Sequence, residues 1–149
     1  TLPENKADSL SSEPTAPRKK LIQPDQRQPL IACIDDSPVL IYTLRKTLVS
    51  AGYRVMSILE PMRGFSQLIE NKPDLILLDL LLPNADGYSV CKFLRDTPVF
   101  KETPIIILTA KNSLVDRVRA QAVGATEFLN KPPKSEELLQ VVQKYLQKL

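Results

Sequence analysis

Histidine is absent from all 149 residues. That removes Ser-His-Asp chemistry, imidazole-ligated zinc and a phosphohistidine on this chain. Glycine is almost as scarce. Gly52, Gly64, Gly87 and Gly124 are the only four, and neither the dinucleotide-binding fingerprint nor the P-loop spacing can be built from them. Cysteine occurs twice, as Cys33 and Cys91, inside apolar segments and without CxxC spacing. Both read as small core residues of a reducing compartment, with a disulfide between them as the lesser alternative. No apolar run approaches the roughly 20 residues needed to cross a bilayer. The polar, proline-bearing start carries no secretory signal. The expectation is a soluble, cytoplasmic chain without membrane contact. Charge of one sign is not in excess either: 20 basic against 17 acidic residues leave a formal +3, too balanced to point to nucleic acid.

What is present suits one packed domain with a tail. The apolar share is 43%, ordinary for a globular core. Residues 1–28 carry Pro3, Pro14, Pro17 and Pro24 among Ser, Glu, Lys and Gln with no helical or strand period, as a linker does. Pro17-Arg18-Lys19-Lys20 reads as solvated linker rather than a recognition patch. The domain is expected over 29–149. There, strand patterns at 30–34, 53–58, 74–79, 104–109 and 126–129 alternate with helix patterns at 38–51, 61–71, 87–96, 113–123 and 135–148. Five such units predict an α/β fold: a parallel five-stranded sheet with helices on both faces, strand order 2-1-3-4-5, flavodoxin-like. Ser37 before Pro38 and Ser113 are expected helix caps, and Gly52 and Gly124 expected helix ends. Leu138, Val141, Val142, Tyr145 and Leu149 form an apolar stripe on the last helix.

The chemistry gathers at strand ends. Asp35 and Asp36 follow Ile31-Ala32-Cys33-Ile34, and Asp79 follows Leu75-Ile76-Leu77-Leu78. With the expected strand order, these carboxylates meet Thr109 and the segment Asn130-Lys131-Pro132 at one sheet edge. Three close carboxylates repel unless a cation sits among them. A hard divalent ion with oxygen ligands, Mg2+, answers that need. Add a hydroxyl and an ammonium, and the set suits phosphoryl transfer to a carboxylate, where neutralising the phosphoryl oxygens is most of the work. Asp79, central in the sheet, is the natural nucleophile. Asp86-Gly87 is assigned to turn geometry, and Asp74, Asp96 and Asp116 to helix or turn positions.

This constellation resembles the receiver domain of two-component response regulators. The likeness covers residues 30–149 and is carried by Ile34-Asp35-Asp36, Leu78-Asp79, Pro83-x-x-Asp86-Gly87, Ile107-Leu108-Thr109-Ala110, Gly124-Ala125 and Lys131-Pro132. It implies that Asp79 is phosphorylated by a partner histidine kinase or phosphotransfer protein. It implies that Asp36, Asp79 and the backbone carbonyl of Leu81 ligate Mg2+ directly, with Asp35 acting through water. It implies that Lys131 pairs with the phosphoryl group and that the Lys131–Pro132 bond is cis. It further implies a switch in which Thr109 moves toward the phosphoryl group and Phe128 swings inward behind it. Phe at 128 offers no phenol, so that switch would act through packing. Pro133, the apolar run Leu80-Leu81-Leu82, and Leu81 and Lys111, each two residues beyond a site residue, depart from or tune the common pattern. Glu127 and Lys134 are weak candidates for dimer-forming charges, and dimerisation is left open.

A phospho-acceptor switch is therefore expected: not a turnover enzyme, and without nucleic-acid contact by this domain. A phosphohydrolase with an Asp nucleophile usually carries a second Asp two residues on, where this chain has Leu81. A receiver-like protein-binding module that works without phosphorylation is the remaining alternative. Thr1 is not Met, so the expectation is a piece of a longer protein with its effector before the linker; initiator removal or a single-domain regulator is the other reading.

Overall fold

The computed structural model describes residues 28–147. All but the last residue of the expected linker, and Leu149 of the helical stripe, lie outside them. The apolar runs form the strands β1 (Leu30–Ile34), β2 (Arg54–Ile58), β3 (Leu75–Leu78), β4 (Ile105–Thr109) and β5 (Glu127–Asn130). They pair in parallel in the order β2-β1-β3-β4-β5, as expected from the sequence. Between them run α1 (Pro38–Ser50), α2 (Pro61–Asn71), α3 (Gly87–Asp96), α4 (Leu114–Ala122) and α5 (Ser135–Leu146).

Alternation along the strands divides the core into two layers. Ile31, Cys33, Leu75, Leu77, Ile106 and Leu108 face α1 and α5. Ala32, Ile34, Ile76, Leu78, Ile105 and Ile107 face α2, α3 and α4. Cys33 belongs to the first layer and Cys91 to the second. Both are free and buried, which sets aside the disulfide alternative. Burial pushes their thiols up to about 12 and about 11, so neither is a ready nucleophile.

Helix starts follow local chemistry. Ser37 Oγ accepts the Leu40 N–H at 3.3 Å with Pro38 in the first turn. Ser113 and Asp116 form a reciprocal capping box on α4, so Ser113 lies outside the helix expected to begin there. Gly124 ends the α4 segment at φ 105, a conformation that costs any residue with a Cβ. The apolar stripe on α5 is completed by buried Leu138, Val142 and Leu146.

Two elements were not expected from the sequence. Leu81–Leu82 and Ala85–Asp86 pair as a short antiparallel ribbon, turning at Asn84 with φ 61. Pro98–Phe100 makes a 3-10 turn. Two or three residues are too few to show a period.

Candidate acidic site at the C-terminal sheet edge

Parallel strands present all their C-terminal ends at one edge, and register decides which residues meet there. Ile34 pairs with Leu78, so Asp35 and Asp79 leave adjacent strands at the same level. The Asp79 N–H donates to the Ile34 carbonyl at 3.1 Å, and the Asp35 N–H to the Ile58 carbonyl at 3.1 Å. Thr109 pairs with Asn130 at the ends of β4 and β5. The Lys131 N–H donates to the Thr109 carbonyl at 3.0 Å. Residues from four strands are thereby gathered in one place.

Oxygens of Asp35, Asp36 and Asp79 lie within 4.8 Å of one another. Asp35 is 3% exposed and Asp79 2%, whereas Asp36 faces solvent. Lys131 Nζ donates to Asp79 Oδ2 at 2.9 Å. It also lies 2.9 Å from Asp35 Oδ2 in a charge contact, and this buried oxygen has no hydrogen-bond partner. The other two oxygens hold backbone: Asp35 Oδ1 accepts the Ser37 N–H at 2.9 Å, and Asp79 Oδ1 the Leu81 N–H at 3.0 Å. Burial raises the Asp35 carboxyl above its usual range, against the lowering effect of the nearby Lys131 ammonium. For Lys131 the balance is reversed: burial disfavours its charge, yet Asp35 and Asp79 together hold its pKa above the ordinary value.

An all-oxygen donor set, a buried carboxylate oxygen lacking a donor and a solvent-facing third carboxylate fit a hard divalent cation. Thr109 is fully buried, its Oγ1 accepting the Lys111 N–H at 3.2 Å. Phe128 is half-buried, with the Arg117 guanidinium 4.8 Å from its ring centre. It lines a surface cavity of about 160 Å3 with Arg117, Ala120 and Gln121. The Leu81 side chain is exposed in the ribbon beside Asp79. The Lys131–Pro132 peptide bond is cis.

Other acidic residues do structural work. Asp74 Oδ2 accepts the Leu30 N–H at 2.8 Å, and Asp96 pairs with Lys92 at 3.1 Å. Asp86 Oδ1 caps α3 by accepting the Tyr88 N–H at 3.2 Å. Glu127, a candidate dimer charge, is taken up internally by Lys144 at 2.7 Å and Tyr145 at 2.6 Å. Sequence reasoning missed Tyr88, whose hydroxyl donates to Asp116 Oδ1 at 2.9 Å across 28 residues. It also missed Arg95, which donates to the carbonyls of Gly124, Phe100, Lys101 and Thr103. The Ser113-x-x-Asp116 spacing was a visible signal for half of the first cluster; Arg95 had none.

Comparison with known proteins agrees with this geometry. Residues 31–143 match the response regulator receiver domain. Protein PilG of Pseudomonas aeruginosa is 29% identical over 116 residues, covering 78% of this chain and 86% of PilG. The DNA-binding dual master transcriptional regulator RpaA of Synechocystis is 35% identical over 120 residues. That match takes in 80% of this chain but only 50% of RpaA. Among solved structures, the chemotaxis protein CheY4 of Vibrio cholerae superposes with a TM-score of 0.76 at 30% identity, over 80% of this chain and 99% of CheY4. A parallel sheet that brings its acidic strand ends together, and relatives that match along most of it, lead to one assignment: the chain belongs to the receiver domain family of two-component response regulators.

Proposed function

We propose that this domain is an Mg2+-dependent phospho-acceptor switch with Asp79 as the acceptor. The observation that carries the reading is the buried Asp79 carboxylate, in contact with Lys131 at 2.9 Å and grouped with Asp35 and Asp36 within 4.8 Å. A histidine kinase or phosphotransfer protein supplies the phosphoryl group. Its P–N bond breaks as a P–O bond to Asp79 forms, and the domain later hydrolyses the acyl phosphate slowly. It acts on itself and turns over no free metabolite.

Asp36, Asp79 and the Leu81 carbonyl would hold Mg2+, with Asp35 acting through water. When bound, the ion neutralises charge on the transferring oxygens. Lys131 orients and neutralises another phosphoryl oxygen. Thr109 gives up its bond from Lys111 to donate its hydroxyl to the phosphoryl group, and Phe128 repacks behind it. Leu81 and Lys111 flank the group and set its lifetime. The domain does this without touching nucleic acid, and signals by changing protein contacts.

Incubation with acetyl phosphate, with and without Mg2+, followed by intact-mass spectrometry tests this. The expected result is one added phosphoryl group only when Mg2+ is present, and none in Asp79→Asn. No mass gain in the unmutated protein would overturn the reading in favour of a binding module that works without phosphorylation.

A further inference from the structure

Tyr88 and Asp116 join the two loops that border the acidic site. Tyr88 stands in the first turn of α3, and its stretch of chain is locked to the loop leaving Asp79. The Gly87 N–H donates to the Leu80 carbonyl at 3.3 Å, and a Cβ on Gly87 would collide with the Leu80 backbone. Asp116 stands in the first turn of α4, at the far end of the loop leaving Thr109. Both side chains are buried. The Tyr88 hydroxyl donates to Asp116 Oδ1 at 2.9 Å. Asp116 Oδ2 accepts from the Ser113 N–H at 3.1 Å and the Ser113 hydroxyl at 2.7 Å. Lys111 Nζ lies 3.6 Å from Asp116 Oδ1, and its own N–H is the donor to Thr109 Oγ1. The Arg119 guanidinium lies 4.1 Å from the Tyr88 ring centre. One chain of contacts therefore runs from Thr109 through Lys111 and Asp116 to Tyr88, and back to the loop after Asp79.

We infer that the Tyr88–Asp116 hydrogen bond is a latch that holds the β4–α4 loop and the first turn of α4 in the resting arrangement. The inference rests on the switch proposed above. When the Thr109 hydroxyl turns toward a phosphoryl group, the Lys111 N–H loses its acceptor and the loop is free to move. Asp116 cannot follow without stretching or breaking a buried, charge-assisted bond to α3. The latch therefore sets how much acceptor-site binding energy is needed to release α4, whose outer face carries the exposed apolar side chains Leu114, Val115 and Val118. Tyr88 is a positioning residue and does not touch the reacting atoms.

Tyr88→Phe keeps the ring and removes the bond. The test titrates beryllofluoride with Mg2+ into the unmutated protein and the variant, following the amide resonances of Thr109, Phe128 and α4 by NMR. The expected result is a resting spectrum of Tyr88→Phe already displaced along the path to the beryllofluoride state in α4, and an apparent affinity tightened by about tenfold. Ser113→Ala serves as the control: it loses the helix cap and stability but keeps the cross-link, and its affinity should not tighten. Equal affinity in Tyr88→Phe and the unmutated protein overturns the latch alone, as does equal tightening in both variants. No response to beryllofluoride in the unmutated protein overturns the switch and the latch with it.

Discussion

The ammonium of Lys131 lies 2.9 Å from carboxylate oxygens of both Asp35 and Asp79, and among the described residues no other cation touches that pair. Two buried carboxylates without it would be left facing each other, and breaking a buried pair from one side is strongly destabilising. Lys131→Ala is expected to cost about 3 kcal/mol in urea denaturation without divalent ions, with much of the loss recovered in millimolar Mg2+. Absence of any recovery would count against the cation site. The glycine at 87 makes a second residue-level case. Its missing side chain is filled by the Leu80 backbone, which cannot rotate away. Gly87→Ala should destabilise by about 1–3 kcal/mol and displace the loop after Asp79, visible as shifted amide resonances from Leu80 to Asn84.

At the scale of elements, β5 and α5 are fastened by Glu127, which accepts from Lys144 and Tyr145. The hydrogen bond from Lys144, then that from Tyr145, holds the Glu127 carboxyl below its usual range. A lowered folded pKa favours the charged form, so its stabilisation is full above the unfolded value of about 4.3 and fades as pH falls through the folded one. Glu127→Gln should therefore lose stability at neutral pH and show a shallower fall on acidification, measured by thermal melts from neutral to acid pH. Elements were also the level at which the sequence was most legible. Ile31 to Ile34, Leu75 to Leu78 and Ile105 to Leu108 are apolar on both faces, the mark of strands covered twice, and this placed Asp35, Asp79 and Thr109 at strand ends. Ser37 and Ser113 marked helix starts through their hydroxyls. The ribbon at Leu81–Leu82 escaped because two residues have no period. Tyr88–Asp116 and the carbonyl cluster around Arg95 escaped because each depends on chain segments brought together only by the finished fold.

For the whole molecule, the sheet order expected from five alternating units was the observed order, which is why the site could be assembled before any distance was known. What pattern alone did not reveal is its electrostatic state: Lys131 bonded to Asp79 and close to Asp35, and one buried oxygen of Asp35 without a donor. A cation that binds only the folded site raises stability by mass action, about 2.7 kcal/mol at a hundred times its dissociation constant. Mg2+ should accordingly raise the melting temperature by several degrees, and Asp36→Ala, at the solvent-facing carboxylate, should abolish most of that rise. An unchanged rise in the variant would remove Asp36 from the ligand set. Among the described residues no helix is long and apolar enough to cross a membrane.

The lysine of the site directly follows β5, the rim strand of the sheet, while the carboxylates it holds leave the interior strands β1 and β3. Its four-carbon stem thus bridges over β4 like a tie-rod, connecting margin to middle without passing through the backbone between them. Any rearrangement of charge at the centre would pull directly on the margin of the sheet, and a side chain one methylene shorter would break that mechanical link while leaving every strand in place.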